Sequence, residues 1–302
     1  MSAPIQTVAV AGAAGSLGSV LVARLVASGR FKVRVLRRQG SGSTFAPGTD
    51  VVDVDFGSVD SLSAALAGQD AVVAALGAPG LGLQPTLVDA AVAAGVRRFL
   101  PSEFGSDLAN PLTRKLPVFA DKARTSDYLE AKASTTLLTY TLVSNGPFLD
   151  WGLRHNFILD SSSYKPAIWD GGDAVFSTTT LASVADAVVG VLSHPDETRN
   201  RTVYVEDLKL TQNRLLALAK EAAPDKPWEA QPASLDAATQ RADQRLAQGL
   251  YDMETFAPYL FRAILDPAYG GAYHQTDNEL LGVKGKTEQD VVHLLKQILS
   301  ER

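Results

Sequence analysis

Val8-Ala9-Val10-Ala11 runs directly into Gly12-Ala13-Ala14-Gly15-Ser16-Leu17-Gly18, and a helical stretch over 19–27 follows. An apolar β-branched run, three glycines spaced G-x-x-G-x-x-G and a helix form the strand–turn–helix start of a dinucleotide fold. The glycines let the backbone approach a pyrophosphate, while free N–H groups and the positive end of the helix dipole hold its charge. Gly12, Ala14, Gly15, Ser16, Leu17 and Gly18 are therefore expected around a cofactor diphosphate. A Gly-rich turn can also exist for close packing alone, so its place at the first strand carries the weight.

The rest of the first half keeps the same rhythm. Strand patterns over 32–36, 50–54, 71–76, 98–100 and 137–143 alternate with helical patterns over 59–67, 87–94 and 122–134. Alternation of this kind predicts a Rossmann-type α/β fold: a doubly wound parallel sheet with crossover helices on both faces. Ligands then gather at the strand ends, at Ala11–Gly12, Leu36–Arg37, Leu76–Gly77, Leu100–Pro101 and Ser144–Asn145.

Beyond residue 150 the rhythm changes. Trp169-Asp170-Gly171-Gly172-Asp173 reads as a hairpin turn, 181–192 as a helix and 201–205 as a strand. Helices are then expected over 211–222, 235–250, 254–265 and 287–299, the last opened by a Thr287-x-x-Asp290 capping box. The expectation is an NADP(H)-binding domain over 1–150 and a smaller, mostly helical substrate lobe over 151–302, with some of its elements returning to the first domain.

Composition narrows the function. Of 302 residues 46% are hydrophobic and 20% charged, as in an ordinary globular protein with a sizeable core. A net charge of -5 gives no basic footprint, so nucleic acid is not an expected partner. The absence of cysteine excludes disulfides, thiolate metal sites and thiol catalysis, and no His/Asp/Glu spacing suits a metal. With no secretory leader pattern and no apolar run of spanning length, a cytoplasmic protein without membrane contact is expected. The Asn200-Arg201-Thr202 sequon is then without consequence, and oligomeric state has no signature in the sequence.

Cofactor choice is read at the second strand's end. An acidic side chain there suits the NAD ribose, whereas arginine suits the 2′-phosphate of NADP. This strand ends in Leu36-Arg37-Arg38, with no Asp or Glu between Lys32 and Thr49. NADPH is the expected cofactor, with Arg37 the first candidate, Arg38 the second, and the 40–44 loop closing over the phosphate. Asp55 and Phe56 stand where an acid and an apolar platform would meet adenine. Leu76 and Gly77 begin the loop expected beside the nicotinamide ribose.

Gly12-x-x-Gly15-x-x-Gly18, Arg37, Pro101-Ser102-Glu103-Phe104-Gly105 and Val118-Phe119-x-x-Lys122 together resemble the isoflavone reductase-like group, which sits with NmrA-like proteins among the atypical short-chain dehydrogenases. The resemblance covers nearly the whole chain. It implies NADPH, a small C-terminal substrate lobe and, as in plant members, reduction of phenylpropanoid-like aromatic compounds. It brings Ser102 and Phe104 to the cofactor.

Short-chain dehydrogenases use Tyr-x-x-x-Lys, which Tyr128-Leu129-Glu130-Ala131-Lys132 matches as a string. In the extended enzymes, however, the catalytic lysine stands well ahead of the loop closing the sixth strand. Lys122 keeps that relation to Asn145-Gly146, and Lys132 comes too late. Lys122, with Val118 in place of the usual tyrosine, is the expected proton donor or orienter at the cofactor, the pattern of the isoflavone reductase-like group. Phe104, Asn145, Phe148, Trp151 and His155 are the expected substrate walls, the last three on one helical face, and Asn145 is also expected to touch the cofactor.

The reading is an NADPH-dependent reductase passing hydride to a small aromatic or conjugated carbonyl-type compound. One alternative is an NmrA-type regulator that senses dinucleotide without turnover, for which an intact Lys122 would not be needed; another is an isomerase or dehydratase that keeps the fold and uses the cofactor differently.

Overall fold

A computed structural model describes residues 3–301. The first half runs β1 (Thr7–Ala11), α1 (Ser16–Ala27), β2 (Lys32–Arg38), β3 (Asp50–Val54), α2 (Val59–Leu66), β4 (Ala71–Ala74), α3 (Gln84–Ala93), β5 (Arg98–Leu100), α4 (Pro111–Arg114), α5 (Ala120–Thr135) and β6 (Thr139–Ser144). The second half adds α6 (Leu149–Arg154), β7 (Ala167–Trp169), β8 (Phe176–Thr178), α7 (Leu181–Ser193), β9 (Arg201–Tyr204), β10 (Leu208–Leu210), α8 (Gln212–Ala222), β11 (Gln231–Ala233), α9 (Leu235–Ala247), α10 (Met253–Leu265), α11 (Asn278–Leu281) and α12 (Glu288–Ser300).

Seven strands form one parallel sheet in the order β3-β2-β1-β4-β5-β6-β9. Successive β1 side chains alternate faces, and the core divides accordingly. Val8 and Val10 pack with Leu17, Leu21 and Leu25 of α1 and with α7, while Ala9 and Ala11 face α2 and α3. The chain order reverses between β1 and β4, which places the ligand crevice above their C-terminal ends.

The expected return of second-half elements takes a definite form: β9 pairs with β6 as the sheet's seventh strand, and α7 packs against α1. A separate apolar cluster, including Leu153, Phe176, Leu215, Leu265 and Leu295, holds α6, α8, α10 and α12 together. The Thr287–Asp290 capping box opens α12, each partner bonding the other's backbone N–H.

One local expectation is corrected. The 169–173 turn does not close a hairpin. β7 pairs in parallel with β11, and β8 antiparallel with β10, so the flanking strands belong to different small sheets. Asp170, Gly171 and Gly172 take positive φ and turn the chain, but the strands' partners come from much later in the sequence. Among the described residues, no helix is long and apolar enough to cross a membrane.

Candidate active site

The three glycines of the first turn meet different constraints. Gly12 has φ +81°, and a Cβ there would lie 2.3 Å from the Ala75 carbonyl oxygen just past β4. A Cβ on Gly18 would lie 2.1 Å from the Gly12 oxygen, so this glycine seats α1 on the turn. Gly18 is buried and lines neither of the cavities described below; it acts through packing, a correction to its expected contact with cofactor. Gly15 is different again. It is exposed, and a Cβ there would meet only the Gly12 oxygen, at 3.3 Å. It opens α1 with no side-chain cap, leaving the first amides of a 12-residue helix for an anion. That turn fits a dinucleotide diphosphate.

Two cavities meet here. One of about 330 Å³ is lined by Gly12, Ala14, Arg37, Arg38 and Phe56. The other, about 800 Å³, is lined by Ser16, Leu17, Ser102, Phe104 and Lys122. Gly15, Leu76 and Gly77 border both, so the two form one cleft along the strand ends.

At the smaller cavity Arg37 is already engaged. Its Nε and Nη2 donate to the two carboxylate oxygens of Asp53 at 2.6 and 2.9 Å, and its Nη1 donates to the Ser43 carbonyl. These bonds hold the Asp53 carboxyl below its usual range and push the guanidinium higher. The Arg38 side chain is exposed and makes no hydrogen bond or ion pair among the described residues. Ser41 and Ser43 complete this wall, their hydroxyls 3.0 Å apart. Asp55, expected at adenine, lines neither cavity; its carboxylate instead accepts the Gly57 N–H at 2.8 Å and shapes the turn after β3.

At the larger cavity the loops after β4 and β5 are tied together. The Leu76 N–H donates to Ser102 Oγ at 2.9 Å, and the Ser102 N–H to the buried Gln84 side chain at 2.7 Å. Phe104 is held at φ +23°, a conformation unusual for a side chain of its size. Lys122, in the first turns of α5, reaches across to donate from Nζ to the Glu103 carbonyl and lies 5.9 Å from the centre of the Phe119 ring. Burial pushes its pKa down, opposed by the Glu103 carboxyl. Glu103 itself is 3% exposed, and burial pushes its pKa up against the pull of Lys122 and Arg114.

The Tyr128 and Lys132 string lies elsewhere. The Tyr128 hydroxyl and the Lys132 ammonium both bind Asp89 Oδ1 on α3, each at 2.7 Å, and neither residue lines either cavity.

Of the expected substrate walls, Phe104 and Phe148 line the larger cavity. Asn145 does not reach either one. It is fully buried, with its Nδ2 bonded to the Gly146 carbonyl at 2.8 Å. Trp151 and His155 do share a helix face, but they stack on each other with ring centres 4.3 Å apart, beside Phe157 and away from the two cavities. The helix begins only at Leu149, with Phe148 an extended residue ahead of it, so Phe148 points independently of that face. The larger cavity is lined in addition by Phe119 and, from α9, α10 and the turn between them, by Leu246, Tyr251, Met253 and Phe256. Those residues follow an ordinary amphipathic pattern, and only tertiary packing separates them from core.

A parallel α/β sheet with a glycine-lined cleft at its strand ends defines a dinucleotide-binding protein. Residues 12–195 match the family described as NAD(P)H-binding. "Oxidoreductase poxI" of Penicillium oxalicum is 32% identical over 300 residues, covering 95% of this chain and 92% of that protein. The chain belongs to the NAD(P)H-binding family and is an NAD(P)H-dependent oxidoreductase. Its fold is that of AtPrR2, solved with NADP+ and (+)pinoresinol (TM-score 0.79, 22% identity, covering 99% of this chain and 100% of that one), and of isoflavone reductase (TM-score 0.77, 20% identity, 99% and 100%). The resemblance to the isoflavone reductase-like group is borne out at the level of the fold.

Proposed function

We propose that this chain is an NADPH-dependent reductase that passes hydride to an electrophilic carbon of a small aromatic or conjugated carbonyl-type compound, with Lys122 as proton donor. The observation that carries the reading is the placement of the Lys122 ammonium in a largely apolar cavity, with Phe104, Phe119 and Phe148, continuous with the glycine cleft. NADPH, when bound, supplies the hydride.

The chain's own groups supply the rest. The Gly12–Gly15 turn and the α1 N-terminus hold the diphosphate. Arg37 and Arg38 hold the 2′-phosphate, and Leu76, Gly77 and Ser102 flank the nicotinamide ribose. Lys122 holds a proton at Nζ and gives it to the oxyanion left by hydride addition; its lowered pKa makes it a readier acid. The aromatic walls favour a flat substrate and exclude water, as the pinoresinol bound to the similarly folded AtPrR2 suggests for that enzyme. In this division of labour residues 1–150 carry the cofactor, and 151–302 form a smaller lobe whose α9 and α10 roof the substrate while α7 and β9 return to the sheet.

The test is NADPH oxidation by purified protein against a panel of quinones, enones and phenolic ethers. Turnover of an aromatic member supports the reading. Tight NADPH binding with no turnover across the panel replaces it with dinucleotide sensing.

A further inference from the structure

A third, more polar cavity of about 270 Å³ lies beside the substrate cavity, and Glu103 belongs to the linings of both. Ser126, Asp127 and Glu130 of α5 line it, facing Arg114 of α4, Tyr140 and Ser144 of β6 and Thr202 of β9. Asp127 and Glu130 are exposed and mark its outer end, whereas Glu103 and Ser126 are buried at 3% and 7% exposure. Glu103 Oε1 and Ser126 Oγ are both buried without a hydrogen-bond partner among the described residues. Two orphaned polar atoms in one polar cavity of this size call for solvent, because buried oxygens are otherwise satisfied and the space holds several waters.

We infer that this cavity is a hydrated proton channel, and that Glu103 passes protons from it to Lys122 from the side opposite the substrate. The inference rests on the reading of Lys122 as proton donor. Cofactor and substrate together fill an apolar cavity, so the amine left after each turnover has little water on that side. Hydride carries the two electrons of the reduction, and Lys122 supplies the one proton. The Glu103 carboxyl then gives its proton through solvent to the neutral Lys122 amine, and the resulting carboxylate takes one back from water in the polar cavity. Burial favours the protonated carboxyl that such a relay needs. Glu103 acts through Lys122 and is a positioning and relay residue, not one that touches the reacting atoms.

The test is infrared spectroscopy of the NADPH-bound protein at neutral pH, with D2O as the probe. Expected is a protonated-carboxyl band, lost in Glu103→Gln, that shifts to its deuterated position within the mixing time. Ser126→Leu, which fills the channel, slows that shift about tenfold or more. Absence of a protonated-carboxyl band, or slow exchange, in the wild-type protein overturns the channel without recourse to either variant. In turnover, Glu103→Gln raises the solvent isotope effect on kcat and leaves NADPH affinity unchanged, while Glu103→Asp restores part of the rate; a wild-type isotope effect in Glu103→Gln also counts against it. Wild-type turnover in Lys122→Ala sinks the lysine reading instead, and the exchange result stands apart from it.

Discussion

Arg37 and Asp53 face each other across neighbouring strands, β2 and β3, in paired register, and the guanidinium spans both carboxylate oxygens. The arginine assigned to the 2′-phosphate thus already has an anion on one side. A phosphate must share Arg37 with Asp53 or draw on the unpaired Arg38.

Cofactor preference follows from that arrangement. NADPH is expected to bind more tightly than NADH, and Arg37→Ala to erase most of the difference, a loss of about ten- to a hundredfold for a charge-assisted contact. Asp53→Asn, which removes the competing carboxylate, is expected to strengthen NADPH binding several-fold and leave NADH unchanged. Fluorescence titration of both cofactors measures this; equal wild-type dissociation constants refute the assignment.

The glycine turn separates binding from folding. Gly15→Val is expected to abolish dinucleotide binding with the circular dichroism spectrum intact, since Gly15 lines both cavities and an added Cβ meets only the Gly12 oxygen. Gly18→Ala, forced against the Gly12 oxygen, is expected to cost about 1–3 kcal/mol of stability. Unchanged affinity in Gly15→Val moves the cofactor elsewhere.

Lys122→Ala is expected to lower turnover about a hundredfold or more, the range for a removed acid–base group, with little change in NADPH affinity. Tyr128→Phe is expected to stay near wild type, because its hydroxyl serves Asp89 outside both cavities. The reverse result would restore the usual tyrosine–lysine pair.

The rate should also depend on pH with a definite sign. A proton donor works only while charged, and burial lowers the Lys122 pKa. Activity is therefore expected to fall as pH rises through a value below the ordinary lysine range. A profile flat to the pH of a free lysine amine contradicts the placement.

The legible parts of the sequence are those whose signals are local. Val8–Gly18 encodes strand, turn and helix within one stretch, and Arg98-Phe99-Leu100 before Pro101 reads as a short strand and is one. Lys122 is marked both by its distance from Asn145 and by the Val118-Phe119-x-x-Lys122 string, and it lines the larger cavity. Asn145 is expected at the crevice because a strand-end position marks it without saying which way a side chain turns; here the side chain turns inward to Gly146. Asp53, exposed on an edge strand, carries no mark that it will meet Arg37. Nothing near Trp169 indicates that its strand pairs with Gln231–Ala233.

The pairing of Thr141–Ser144 with Arg201–Tyr204 has a practical corollary. A fragment cut at residue 150 would end its sheet on β6 with a naked row of amides and carbonyls, an invitation to edge-to-edge aggregation. Grafting a relative's roof at that point would remove the strand that guards this edge. Exchange of substrate lobes therefore needs splice points that leave 181–205 with the host.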